Sequence, residues 1–364
     1  MPSQSPIHSH ILFSLQLEQN TNLYIIQNLT FGDEIQRTRS DSFCLLSQNV
    51  DGLKLSNESF TLEEISDTIF RNEVDVACLS ETNTNWKYPK SKYKTTKILR
   101  QFWSRIKLTT SETSTSCDTM YKPGGIVTIT TTETFPRITT SGEDNESTGR
   151  WSYITIGGNK DHRVTIINAY RPCKQSPDIG IFTTTTQQGD ILEKFGQKPT
   201  DIRKKIINDL TKFINNLISK NNEIILLIDA NEPLTPGSGI VRFYQNTNMI
   251  DPITLRNGYI NITNTLQRGS QKIDFCFCIE LINTFITKCA ITSFNFFSSP
   301  DHRGIYLDIL LKLFLHEIFK PVVTPSSRLL TTKEQTPCEY TNLDYSNTLQ
   351  YKKSSNELKK IKKK

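Results

Sequence analysis

The stretch SSPDHRGIYLDIL, residues 298 to 310, sets Asp301 and His302 side by side at the mouth of an apolar, strand-like run. The same Asp-His-Arg triplet stands at 161–163, but there it follows Gly157-Gly158-Asn159-Lys160, a hairpin-turn signature, and reads as a turn tip. Other strand ends are polar too. LSQNVDG closes a strand at Asn49, CLSETNTNW at Glu81 and INAYRPC at Tyr170; LLIDANEP carries Asp229 and Asn231 just past a very apolar strand, and KIDFCFC opens one with Asp274. Singly, each has a plainer reading. A strand-end Asn or an Asp-x-Asn is commonly a turn or helix cap, a lone Glu is solvated, a Tyr is an ordinary aromatic, and Asp301-His302 is a surface pair without a partner. Together they mark the place where open α/β sheets gather ligand-binding groups.

The elements that must carry these groups follow from periodicity. FCLLSQNV (43–50) reads as a buried strand, TLEEISDTIFRN (61–72) as a helix with Leu62, Ile65 and Ile69 on one face, and VDVACLS (74–80) as the next strand. That order predicts a parallel pair with a crossover helix. GGIVTITTT, RWSYITIGG and HRVTIINAY alternate and are β-branched, which predicts an antiparallel meander. A polar segment (171–200) leads into a long amphipathic helix at 201–220, the strand EIILLID (223–229) and a shorter helical stretch near 240–247. KIDFCFCI, FITKCAITSF and RGIYLDILL complete the strands. The expectation is one α/β domain over 41–315, between a poorly ordered Ser/Gln/Asn/Thr-rich leader (1–40) and a flexible basic tail (316–364).

Composition is that of a globular chain with a sizeable core. The formal charge of +6 owes much to KKSSNELKKIKKK at 352–364, either a polyanion-seeking tail or a solvated end. Eight cysteines are scattered without CxxC spacing. Cys276 and Cys278 alternate along a strand and read as buried small hydrophobes rather than zinc ligands. No signal peptide or membrane-length apolar run is visible, so the expectation is an intracellular protein, nuclear location included, that is not secreted. The Asn-x-Ser/Thr triplets at Asn28, Asn57, Asn145 and Asn261 are then incidental.

The series Asn49, Glu81, Tyr170-x-Pro172, Asp229-x-Asn231, Ile273-Asp274 and Asp301-His302, in this order and at these intervals, resembles the endonuclease/exonuclease/phosphatase superfamily, which includes deoxyribonuclease I and the apurinic endonucleases. The likeness spans Ser42 to Leu311. Tyr170-Arg171-Pro172-Cys173 and Asp301-His302-Arg303-Gly304 look most like the endonuclease portion of non-LTR retrotransposons. Three positions depart from the pattern: Ile228 where relatives carry Gly, Ser80 where many carry Gln, and Pro300 where Ser is common.

The resemblance implies a four-layered α/β sandwich, two packed mixed β-sheets flanked by helices. It implies a metal site for Mg2+ or Mn2+ built from Asn49, Glu81 and Asp301, as hard oxygen donors without a Cys/His cluster require. It implies catalytic roles for Tyr170, Asp229, Asn231, Asp274 and His302: an Asp274–His302 dyad facing the phosphate, Asp229 on the attacking water, Asn231 holding Asp229 or the phosphate, and Tyr170 at a phosphate oxygen or the leaving group. The function expected from it is a metal-dependent endonuclease that nicks DNA to leave a 3′-hydroxyl, with DNA as partner, reverse transcriptase machinery beside it and no membrane. The alternatives are a phosphatase or phospholipase of the same superfamily, an apurinic-site repair enzyme, and an inactive retroelement fragment.

Overall fold

Alternation of apolar side chains drives the architecture of this computed structural model, which describes residues 29–39, 41–53, 55, 61–131, 134–159, 162–174, 183–197, 201–258, 263–297, 301–311 and 315. The leader before residue 29, the tail from 316 on, Asp161, Pro300, and the triplet starts Asn28, Asn57 and Asn261 lie outside the described residues. All elements below belong to one unit, Met1–Ile318; a second unit, Phe319–Lys364, is likewise outside them.

The first sheet has seven strands in the order β1 (Phe31–Gly32), β11 (Ile286–Ile291), β12 (Ile305–Ile309), β2 (Phe43–Asn49), β3 (Val76–Ser80), β5 (Ile126–Thr130) and β4 (Lys107–Ser111). Only β2 and β3 run parallel, joined through helix α1 (Thr61–Arg71) as the sequence predicts. The second sheet has five strands in the order β10 (Asp274–Cys278), β9 (Glu223–Asp229), β8 (Arg163–Tyr170), β7 (Trp151–Gly157) and β6 (Ile138–Glu143). Here β8 and β9 are the parallel pair, crossing over through α3 (Thr184–Lys194) and α4 (Ile202–Ser219), which follow α2 (Pro89–Leu99) in the chain.

Each strand divides its side chains between two cores. Phe43 and Leu45 of β2, Ile225 and Leu227 of β9, and Cys276 and Cys278 of β10 point between the sheets into one apolar cluster. Their neighbours Cys44 and Leu46 face the layer of α1, where Leu62, Ile65 and Ile69 are buried. Ile224, Leu226, Ile228, Phe275 and Phe277 face the opposite layer, where α4 buries Ile207, Leu210 and Ile214 and α5 (Gly239–Thr247) buries Ile240 and Phe243. Four layers result: helix, sheet, sheet, helix. Burying each such aliphatic chain contributes about 1.5–3 kcal/mol.

Two sequence expectations need correction. Composition places residues 29–39 in the leader, yet β1 pairs with β11, Arg37 Nη2 lies 2.7 Å from Asp75 Oδ2, and Thr38 N donates to the buried carboxylate of Asp308 at 2.7 Å. Long-range partners order this stretch despite its weak apolar pattern. The strand of GGIVTITTT, β5, belongs to the first sheet between β3 and β4, not to a meander with β7 and β8. The true meander partner is β6, a largely exposed edge strand whose sequence, ITTSGE, shows no core-facing alternation.

Candidate active site

The inner rows of both sheets run out into polar residues at one common edge. Along β2, Phe43, Leu45 and Ser47 share a side and Asn49 ends it; along β9, Ile225 and Leu227 precede Asp229; along β10, Asp274 precedes Cys276 and Cys278. Tyr170 and Asp229 are register partners at the end of the parallel pair, and Asp229 pairs in turn with Asp274. Glu81 follows β3 directly, beside Asn49, whose register partner is Ser80. Because β12 runs antiparallel to β2, its entrance, and with it Asp301 and His302, stands at the same edge. His162 sits at the opposite end of β8, in the β7–β8 hairpin, where Gly158 N donates to His162 O at 2.8 Å.

Hydrogen bonds tie these groups together. Asn49 Nδ2 donates to Glu81 Oε2 (2.8 Å) and to Asp229 Oδ2 (2.9 Å). Asp229 also accepts from the backbone N of Asn231 (3.0 Å) and from Asn231 Nδ2 (3.2 Å), whose other acceptor is Arg171 O (2.9 Å). Asn231 therefore holds Asp229. The Tyr170 hydroxyl is hydrogen-bonded to the Glu81 carboxylate. Glu81 and Asn231 both adopt φ of 49°, the left-handed region, which costs a β-carbon residue about 1 kcal/mol or more and is tolerated best by Asn.

His302 Nδ1 lies 3.0 Å from Asp274 Oδ2, with both side chains buried. Asp301 Oδ1 lies 3.9 Å from His302 Nε2, so these neighbours share one side of the chain rather than pointing apart as extended backbone would suggest. Two residues that sequence reasoning missed support the dyad. Fully buried Thr265 accepts at Oγ1 from the backbone N of Ile273 (2.9 Å) and Asp274 (3.1 Å), and its carbonyl accepts from Arg303 N (2.8 Å). Gln48 Nε2 donates to His302 O at 2.8 Å. Neither carries a sequence signal, since both act on backbone groups, Gln48 across 254 positions and Thr265 across a loop of eight or nine.

Burial opposes charge on His302, but Asp274 as neighbouring charge and hydrogen-bond partner outweighs it, with help from Asp229 and Asp301; the imidazole is pushed up to about 10. Asp229 moves upward through burial first and the charge of Asp274 second, against the pull of His302 and Asn49. Burial also raises Glu81, partly offset by Asn49, and holds the Tyr170 hydroxyl protonated.

The donor set suits a hard divalent cation. Glu81 and Asp229 offer carboxylate oxygens gathered on one amide nitrogen of Asn49, and Asp301 is half exposed nearby on the His302 side. Asp229, Asp274 and His302 also offer ligand atoms within 4.8 Å of one another, yet the His302 nitrogen facing Asp274 is engaged by it, and an imidazole is a poor magnesium ligand. Among the expected metal ligands, Asn49 and Glu81 are in direct contact, whereas Asp301 is placed against the imidazole.

No protein-family model and no curated protein matches this sequence. Among solved structures, the AP endonuclease LMAP from Leishmania major is similar with a TM-score of 0.53 at 11% identity, covering 79% of this chain and 98% of that one. An AP endonuclease from Archaeoglobus fulgidus is similar with a TM-score of 0.50 at 12% identity, covering 73% and 99%. At these identities the likeness is one of fold: two mixed sheets flanked by helices, the deoxyribonuclease I-like sandwich.

Proposed function

We propose that this protein is a metal-dependent phosphodiesterase of the endonuclease/exonuclease/phosphatase superfamily, acting as a retroelement-type endonuclease that nicks DNA and leaves a 3′-hydroxyl. The observation that carries the reading is the buried His302–Asp274 pair set against Asp229, Asn49, Glu81 and Tyr170 at one sheet edge. The fold shared with two AP endonucleases supports the nuclease class. Tyr170-Arg171-Pro172-Cys173 and Asp301-His302-Arg303-Gly304 support the retroelement type.

Glu81, with Asn49 and Asp301 beside it, would hold magnesium or manganese, which would supply positive charge to the phosphate when bound. The protein's own groups do the rest. Asp229, fixed by Asn49 and Asn231 and biased toward proton uptake, orients the attacking water and accepts its proton. His302, kept cationic by Asp274, presents Nε2–H to the charge growing on the phosphorus oxygens. The P–O3′ bond breaks, and the Tyr170 hydroxyl stands ready to give the leaving oxygen a proton.

The test is relaxation of supercoiled plasmid in magnesium, with polymerase extension of the nicks to read their 3′ ends. Wild type should nick, while Glu81→Ala and His302→Ala should fall by about a hundredfold or more. Equal nicking by wild type and variants would remove the reading. A parallel plasmid bearing abasic sites separates general nicking from the apurinic-site specificity that the two structural neighbours are named for.

A further inference from the structure

We propose that the groove between the N-terminal ends of α4 and α5 is a second phosphate-binding subsite, which holds the nucleic-acid strand beyond the scissile bond; the proposal rests on the diesterase reading above. The groove, about 560 Å³ in volume, adjoins the candidate active site through one short chain segment. Arg171 follows Tyr170 directly, its backbone N donates to Asp229 O at 2.9 Å, and its carbonyl accepts from Asn231. The Cys173 thiol then reaches Asn231 Oδ1 at 2.9 Å. A strand whose scissile phosphate sits at Asp229 therefore passes this groove within a nucleotide or two.

Its charge is unbalanced. Five cations, Arg171, Lys174, Arg203, Lys204 and Arg242, line it against two acids, Asp201 and Glu232, a surplus of three positive charges. The two acids are already engaged. Glu232 binds Arg171 Nη1 at 2.8 Å and Arg203 Nη2 at 3.3 Å and accepts from Ile240 N at 2.7 Å, while Asp201 caps α4 by accepting from Lys204 N at 3.0 Å. The ion pairs lock the floor of the groove. Lys174, Lys204 and Arg242 stand exposed around it, and among the described residues no carboxylate pairs with them. Both helices point their positive ends at the same space, which adds to the attraction for phosphate. An extended polyanion matches this arrangement: three exposed cations for successive phosphates above an ion-paired base.

The experiment measures binding and turnover separately. Lys174→Ala, Lys204→Ala and Arg242→Ala are combined, leaving every proposed catalytic group in place, and a fluorescent 20-base-pair DNA duplex is titrated in EDTA at several salt concentrations. The combined variant should lose about tenfold or more in affinity, and its plot of log affinity against log salt should flatten by about 0.9 for each phosphate contact removed. Turnover of bis(p-nitrophenyl) phosphate, too short to reach the groove, should be unchanged. A matched variant lacking the exposed Lys194, Lys212 and Lys220 should keep most of the affinity. Wild-type affinity and slope in the groove variant, or an equal loss in the matched variant, overturns the proposal. Failure of wild type to turn over either diester overturns the catalytic reading instead, while the binding comparison still decides the groove.

Discussion

Asp229 and Asp274 are register partners on neighbouring antiparallel strands, both buried and both on the inner row. Two carboxylates so placed repel, and His302 is the cation that makes the arrangement tolerable: it bonds Asp274 and is held protonated by both acids. A raised histidine favours the folded state below the unfolded value of about 6.5 and loses that contribution as pH climbs through about 10. The stability of wild type relative to His302→Asn should therefore be largest near pH 6 and shrink by a few kcal/mol on approaching pH 10. Thermal melts of both proteins across that range check it; a gap that widens with pH contradicts the assignment.

Magnesium should stabilise the fold through Glu81. At a free concentration ten times the dissociation constant, binding to the native state alone contributes about 1.4 kcal/mol. Differential scanning fluorimetry should show an upward shift for wild type and none for Glu81→Gln, which keeps the side chain's size. Because burial holds the Glu81 carboxyl above its ordinary range, protons compete with the cation, and the shift should fade in the acid range. A wild-type melting curve indifferent to magnesium would detach the cation from this site.

Thr265 tests whether the dyad is positioned by backbone. Its hydroxyl is the acceptor for both Ile273 N and Asp274 N in a fully buried setting. Thr265→Val leaves those donors unsatisfied at nearly constant volume, which should cost about 1–3 kcal/mol. Displacing Asp274 should also lower the pKa of His302, read by NMR titration of the imidazole. Thr265→Ser should restore both. If Val lowers stability yet leaves the imidazole unmoved, Thr265 serves the fold alone.

Much of this was legible because apolar alternation is strong where strands are covered on both sides. EIILLID and KIDFCFC each show a row that ends in a carboxylate, and the structure brings those ends together. β4 (KLTTS) and β6 (ITTSGE) escaped notice because edge strands expose one flank and carry threonine and serine where core residues would signal. Helices α2 and α3, rich in Lys, Thr and Gln, bury only Ser91, Thr95 and Leu99 in one case and Gln188, Ile191 and Leu192 in the other. Ile228, an apparent departure next to Asp229, faces α4 and α5, away from the inner row that carries the acid. Thr265 and Gln48 give no signal because their partners are backbone atoms, which no residue type marks; that of Gln48 lies 254 positions away.

Gly304 explains the last residue of Asp301-His302-Arg303-Gly304. A β-carbon there would meet Gln48 Oε1 at 2.9 Å, Ser47 O at 3.1 Å and Thr292 Oγ1 at 3.2 Å. None can yield freely: Ser47 lies in β2 opposite Ile305, Thr292 accepts from Gly304 N at 2.7 Å, and Gln48 holds His302 O. Gly304→Ala should therefore cost about 1–3 kcal/mol and push the entrance of β12 outward. The displacement would carry His302 with it, so nicking should fall more than tenfold while magnesium still raises the melting temperature, since Asn49 ends β2 and Glu81 directly follows β3. Adding Gln48→Ala relieves the closest contact but also removes the bond to the His302 carbonyl, so the double variant should regain stability without regaining nicking. Recovery of both would mean that Gly304 guards only packing; recovery of stability alone locates its role in aiming the imidazole.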